Sequence, residues 1–176
     1  MAHIEKSIDV NCPVRAAYNQ WTQFEEFPRF MEGVKEVQQI DDTHLHWHAE
    51  IGGKDKEWDA VITEQVPDSI IAWRSVAGAE NAGRVEFQPA GSGTRITLKL
   101  TYDPEGAVEK IGDMVGVVGR RVEGDLKRFR DFIENRGRET GQWRGEVRRG
   151  QKVSEGEHAR NEQEGRVSGD PTRDVE

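Results

Sequence analysis

The sequence predicts an α+β fold in which a curved antiparallel sheet of about six to seven strands packs around one long C-terminal helix. Apolar and polar residues alternate through most of residues 34–102, which is the period of strands with one dry and one wet face. The apolar spacing then changes to that of a helix, from about residue 103 to residue 136. A single long helix that follows the strands and packs on the dry face of an antiparallel sheet is an α+β arrangement.

The N-terminal elements follow from local signals. Residues 3–10 alternate between apolar and polar side chains and predict the first strand. Asn11 is a favourable helix cap and Pro13 fits a first turn, so a short helix is predicted from here to about Thr22. A second short helical piece is predicted over residues 24–30, around Pro28.

The central strands are separated by turn-forming residues at 52–53, 67–69 and 91–93. Asp103 and Pro104 then predict the start of the long helix, and Gly137 predicts its C-cap. Between them the helix carries a single apolar stripe at steps of three and four residues, formed by Ile111, Val115, Val118, Val122, Leu126, Phe129 and Ile133.

The last 36 residues differ in composition from the rest of the chain. Hydrophobic residues make up 34% of the protein and charged residues 33%. Only six residues of the hydrophobic set fall in residues 141–176, too few to offset the cost of ordering that backbone. The sequence therefore predicts one domain over residues 1–140 and a disordered polar tail over residues 141–176.

The net charge and the cysteine content restrict the partners that this protein is expected to bind and the compartment in which it is expected to be found. The net charge of −8 lies almost entirely in residues 1–140, which argues against binding nucleic acid or an anionic membrane. No apolar run is long enough to span a bilayer, and the N-terminus does not read as a signal peptide. Cys12 is the only cysteine, so no internal disulfide is expected. We predict a cytoplasmic protein that does not insert stably into membranes.

The order of elements, together with local sequence, resembles the START-like helix-grip (SRPBCC) superfamily. Short segments of the sequence are similar to those of the bacterial polyketide cyclase/dehydrase and coenzyme-Q-binding branch of this superfamily. The residues that carry the resemblance are Pro13 to Trp21, Phe27 to Met31, Trp58 to Ala60, Trp73 to Ser75, Asn81, Gly83, Val85, Phe87 and Tyr102 to Gly106. The resemblance covers residues 3 to about 138. It implies a helix-grip fold and an apolar ligand such as a lipid, a quinone or a polyketide, and it implies catalysis only in some members.

Aromatic residues on the apolar phase of several strands predict a ligand cavity between the sheet and the long helix. Plain core packing is the alternative for any one of them. The predicted lining consists of Trp47, Trp58, Trp73, Phe87, Leu98 and Leu100 from the sheet, with Met114, Val118 and Val122 from the helix. Three glycines beside the stripe, Gly112, Gly116 and Gly119, are predicted to make room for the ligand and to act as a gate; close backbone packing is the alternative.

Catalytic and metal-binding groups are less clearly indicated. Glu64, Ser75 and Tyr102 share the phase of apolar neighbours and are weak candidates for acid–base work; Ser75 has no evident His-Asp support. His44, His46 and His48 share one strand face opposite Leu45 and Trp47, so we expect them to face water and to bind no metal.

The leading hypothesis is therefore binding of a hydrophobic small molecule, with no cofactor. One rival is a cyclase or dehydratase that uses Glu64 or Tyr102 on a bound polyketide. A third hypothesis is that the protein is an interaction module, whose acidic surface contacts a protein partner. No acid–base pair is compelling, which favours binding over catalysis.

Overall fold

The protein forms a curved antiparallel sheet with a long C-terminal helix against it, in agreement with the predicted α+β class. The structure, a computed structural model, describes residues 2–103 and 111–153, without the side chains of residues 111–114. Its strands are β1 Ala2–Val10, β2 Val34–Gln39, β3 His44–Ile51, β4 Lys54–Val66, β5 Ile70–Gly78, β6 Asn81–Ala90 and β7 Gly93–Tyr102. The helices are α1 Val14–Trp21, a 3₁₀ helix Phe24–Arg29, and α2 Ile111–Arg136.

The strand order is β1-β7-β6-β5-β4-β3-β2, and every pair is antiparallel. The first strand therefore lies beside the last long strand, where Ile4 pairs with Leu100 and Ile8 with Ile96. All other neighbours follow in chain order, as expected for strands joined by tight turns. This arrangement turns one face of the whole sheet toward the helices.

The apolar stripe of α2 is buried, as its spacing predicts. Leu126, Phe129 and Ile133 are 0–2% exposed. The Phe129 ring centroid lies 4.8 Å from that of Trp21 and 5.2 Å from that of Phe30. The C-terminal half of α2 is thus packed into a core that the sheet, α1 and the 3₁₀ helix share.

Helix boundaries agree with the sequence at one end of α2. Gly137 has a φ of 73° and its N–H donates to the carbonyl of Ile133 over 3.0 Å, which confirms the predicted C-cap. The predicted start at Pro104 lies outside the described residues. Helix α1 begins at Val14, and the side chain of Asn11 does not cap it; the Asn11 N–H donates instead to the Glu134 carboxylate over 2.7 Å.

Residues 139–153 are folded onto the domain, which corrects the prediction of a disordered tail from residue 141. This segment, called here the C-terminal strap, carries β8 Val147–Arg148 and β9 Gln151–Lys152. Strand β8 pairs with Glu64 and Gln65 of β4, and Val147 is fully buried. The prediction for residues 154–176 falls on residues that the structure does not describe.

Polar contacts hold the C-terminal strap on the domain, although its polar composition predicted disorder. Gln20 is fully buried, and its side chain exchanges two hydrogen bonds with Thr140, of 2.8 and 3.0 Å. Arg144 donates to Asn19 over 2.7 Å and to Asp68 over 2.8 Å. Because buried amides require partners, the strap is held by hydrogen bonds that a count of apolar residues does not register.

Within residues 2–103 and 111–153, no helix is long and apolar enough to cross a membrane.

Candidate functional site

A cavity of about 240 Å³ lies between the concave face of the sheet and α2. The sheet contributes Leu45 and Ile62 beside its aromatic residues, and α2 contributes Val118 and Val122. Trp21, Phe24, Phe27 and Met31 complete the wall from α1, the 3₁₀ helix and the loop that follows. A concave space lined mainly by apolar and aromatic side chains is the usual form of a small-molecule site.

Two stacked indoles form the aromatic centre of this wall. Trp47 and Trp58 pair directly across β3 and β4, with ring centroids 5.5 Å apart and planes inclined by 11°. The Phe27 ring lies 5.5 Å from Trp47. Both indole N–H groups are buried and have no hydrogen-bond partner among the described residues. A flat aromatic surface of this kind suits a ring-shaped ligand.

Most of the predicted lining residues lie together on this wall. Trp47, Trp58, Trp73, Leu98, Leu100, Val118 and Val122 all border the cavity. Phe87 does not: it is 3% exposed and packs edge-on against Tyr18 at 5.5 Å and Trp21 at 6.1 Å. Its strand phase is correct, but aromatic residues of α1 fill the space in front of it. Met114 belongs to the part of α2 whose side chains are not described.

The glycines beside the helix stripe do not border the cavity where the structure describes them. A Cβ atom at Gly116 would meet only the side chain of Arg120, at 3.5 Å, and one at Gly119 would lie 3.8 Å from Lys6 on β1. The prediction that these two glycines make room for a ligand is therefore corrected. Gly112 lies in the part of α2 whose side-chain surroundings are not described.

Replacing Gly116 with alanine should therefore stabilise the protein and leave ligand binding unchanged. We expect the free energy of unfolding to rise by about 0.8–1 kcal/mol, since alanine is the better helix former and its Cβ meets no obstacle. Gly137→Ala is the matched control; its positive φ should reverse the sign of the effect. A denaturant titration in which Gly116→Ala lowers stability would contradict this reading of the helix.

The structure places the three acid–base candidates in different environments. Tyr102 borders the cavity, and burial raises the pKa of its hydroxyl. Ser75 is not on the wall, and its hydroxyl accepts the Asn81 N–H over 3.0 Å. Glu64 faces the other side of the sheet because β4 has one extra residue, Thr63, between the pairs made by Ile62 and Glu64. This bulge moves Gln65 to the buried face in place of Glu64.

A carboxyl group that sequence reasoning missed lies on the helix side of the cavity. Asp125 borders the cavity, and its side chain is only 15% exposed. Burial raises its pKa to about 6, against the opposing effect of a hydrogen bond from Arg128. The available signal was spacing: residues 118, 122 and 125 fall on one helix face, so an acid at the third position must be buried or line a space.

Charged side chains surround the rim of the cavity. Lys54 and Lys56 continue the inward phase of Trp58 along β4, and Glu80 and Asp103 contribute carboxylates. The described wall therefore carries both signs of charge at its rim and becomes apolar further inside.

The three histidines of β3 contact carboxylates on the outer face of the sheet. His46 lies 2.6 Å from Asp59, and the resulting hydrogen bond raises the pKa of its imidazole. His44 lies 2.9 Å from Asp41, and His48 lies 3.7 Å from Asp55. Within residues 2–103 and 115–153, no group of His, Cys, Asp or Glu side chains has the geometry of a metal site.

A curved antiparallel sheet that packs against a C-terminal helix over an apolar cavity defines the helix-grip fold. The chain belongs to the polyketide cyclase/dehydrase and lipid transport family, whose sequence model matches residues 10–130.

Several known proteins are similar to this chain in sequence or in fold. An uncharacterised 17.2 kDa protein from the melC2–rnhH intergenic region of Streptomyces lincolnensis is 50% identical over 149 residues, which is 84% of this chain and 99% of that protein. The crystal structure of DR_A0006 from Deinococcus radiodurans matches with a TM-score of 0.62 at 26% identity, covering 78% of this chain and 99% of that one. A START superfamily protein from Mycobacterium smegmatis shares the fold, with a TM-score of 0.65 at 14% identity over 76% of this chain and 97% of that one.

Proposed function

We propose that the protein binds a hydrophobic small molecule with an aromatic ring system, such as a quinone or a polyketide-like aromatic, in the cavity between the sheet and α2. The observation that carries this proposal is the stacked pair of Trp47 and Trp58 on the wall of a space of about 240 Å³. Covering this aromatic surface with a ligand removes it from water, which favours binding by about 25 cal/mol for each Å² of apolar area buried. A lipid chain is the less favoured occupant, since it cannot stack on flat rings.

The alternative function, a polyketide cyclase or dehydratase, has less support. It requires an acid–base pair in the cavity. Tyr102 and Asp125 both border the cavity, but the Tyr102 hydroxyl has no hydrogen-bond partner among the described residues, so the two do not form such a pair. A phenol whose pKa is raised by burial is a poor general base at neutral pH. A cytoplasmic location is part of this proposal, and the single cysteine of the chain fits a reducing compartment.

Filling the cavity should prevent binding without unfolding the domain. We expect Val122→Phe, on the wall, to weaken binding of a naphthoquinone at least tenfold, because the new ring occupies ligand space. Val117→Phe is the matched control, since Val117 is 37% exposed on the same helix. The measurement is quenching of tryptophan fluorescence, with the melting temperature recorded for each variant.

The single cysteine does not confuse this assay. Burial raises the pKa of the Cys12 thiol to about 11, so at neutral pH little of the thiolate that attacks quinones is present. Equal affinity in Val122→Phe and the parent protein, or no affinity in any form of the protein, would contradict the proposal. Extraction of the purified protein with organic solvent, followed by mass spectrometry, would identify a ligand retained from the cell.

A further inference from the structure

The buried carboxyl of Asp125 is built into the cavity wall by its neighbours. Its Oδ1 accepts the backbone N–H of Glu32 over 3.0 Å and a hydrogen bond from Arg128 over 2.5 Å. Arg128 is fixed in turn, because its Nε donates to the carbonyl of Phe30 over 3.0 Å. The carboxyl therefore holds one position relative to the cavity, which is the requirement for selecting among ligands.

The second oxygen of this carboxyl remains available. Both hydrogen bonds of Asp125 fall on Oδ1, and Oδ2 makes none within the described residues. Each carboxylate oxygen can accept two hydrogen bonds. An acceptor on the wall of an apolar cavity gains from a donor that enters with the ligand, because a buried acceptor without a partner is costly.

We propose that Asp125 determines ligand specificity by accepting a hydrogen bond from a hydroxyl group on the bound ring system. This inference rests on the proposed function and deepens it: the preferred ligand is a phenol or a polycyclic alcohol, and the same ring without an O–H binds more weakly. The competing account is that Asp125 acts only in the structure, by tying the loop at Glu32 to α2. That account predicts no dependence of affinity on a ligand hydroxyl.

Three probes of one ring skeleton separate these accounts: 2-naphthol, 2-methoxynaphthalene and naphthalene. The first carries an O–H donor, the second keeps the oxygen but loses the donor, and the third has neither. At about pH 7.5 we expect 2-naphthol to bind the parent protein at least about tenfold more tightly than 2-methoxynaphthalene, as is usual for a hydrogen bond to a charged group.

Asp125→Asn should abolish this preference. The amide oxygen of asparagine can keep the hydrogen bond from the Glu32 N–H, and its NH₂ group then replaces the free acceptor with a donor. We expect 2-methoxynaphthalene to bind this variant as well as 2-naphthol or better. The matched control is Asp131→Asn, since the Asp131 side chain is 59% exposed on the same helix and its loss should leave the preference intact.

Lowering the pH tests the role of Asp125 in the parent protein, without a substitution. The pKa of Asp125 is raised to about 6, so the carboxylate that accepts the ligand hydroxyl is present above this pH and is protonated below it. The preference for 2-naphthol should therefore shrink between about pH 7.5 and pH 5 in the parent protein. In Asp125→Asn the ratio of the two affinities should not change with pH.

Other charged groups near the carboxyl must be considered when ligand affinities at the two pH values are compared. They are Arg121 and Arg128 on α2, Glu32 on the loop before β2, and Lys54, Lys56, Glu80 and Asp103 at the cavity rim. Naphthalene, which has no hydrogen-bonding group, reports any general effect of their titration on the cavity.

The outcomes distinguish a failure of this inference from a failure of the proposed function. Equal affinity of the parent protein for all three probes would overturn the role of Asp125 and leave the apolar cavity supported. Absence of binding by any probe would overturn both. A hydroxyl preference that survives in Asp125→Asn, or that does not change with pH in the parent, would also overturn the inference. If the variant fails to fold, the probe series and the pH arm in the parent protein still decide it.

Discussion

Removing the C-terminal strap is expected to lower the melting temperature by about 6–12 °C, which corresponds to about 3 kcal/mol or more in a protein of this size. The strap buries Val147 completely and satisfies the side chains of Asn19 and Gln20 on α1. Without it these amides lose their partners, and the edge of β4 at Gln65 is exposed. Two chains should be compared by calorimetry, one that ends at Arg138 and one that ends at Val153.

The comparison isolates the strap from the residues beyond it. The chain that ends at Val153 should melt close to the full-length protein, because the sequence of residues 154–176 has almost no apolar side chains. Equal melting temperatures for all three chains would contradict the structural role of the strap. The point variant Arg144→Ala offers an independent check, since it removes the hydrogen bonds to Asn19 and Asp68 and leaves the backbone intact.

Truncating Phe129 to alanine should cost about 3–5 kcal/mol of stability. Its ring is fully buried between Trp21 and Phe30, so the substitution leaves a hole where α2 meets α1 and the 3₁₀ helix. A close-packed core of aromatic rings relaxes only partly into such a hole. The measurement is urea denaturation, with the slope compared between variants to confirm that the same transition is followed.

Phe132 provides the control for this substitution. It lies three residues further along α2 and contacts Phe30 at 5.3 Å, but it is only partly buried, and Arg29 and Arg136 cover its ring from outside. We expect Phe132→Ala to cost less than about 2 kcal/mol, because little cavity is created at a partly exposed site. Similar losses at the two positions would show that α2 is not held by the predicted stripe.

Most of the residues predicted for the cavity wall border the cavity in the structure, because strand phase is a local property. Each strand alternates its side chains between two faces, so Trp47, Trp58 and Trp73 could be assigned to the apolar face from their neighbours alone. The same rule failed at Glu64, because the extra residue Thr63 shifts the alternation in the middle of β4. No residue type in that segment marks the bulge, and only pairing with β5 reveals it.

Helix residues were harder to assign than strand residues. The stripe from Val118 to Ile133 could be predicted, because burial of one helix face follows from spacing at three and four residues. Whether a residue beside the stripe faces the cavity, another strand or water depends on the rotation of the helix over the sheet. Gly116 and Asp125 were misjudged or missed for this reason: the first does not border the cavity and the second does.

The sequence by itself determined the class of fold, the order of its elements and the aromatic character of the concave face, since these depend on periodicity, turn residues and caps within short segments. The tertiary structure alone decided the limits of the cavity, the burial of Asp125 and the docking of the strap. These depend on which distant groups meet: Arg144 with Asn19 and Asp68, and the carboxyl of Asp125 with the backbone of Glu32. Such contacts join residues 76 to 125 positions apart, and no local pattern encodes them.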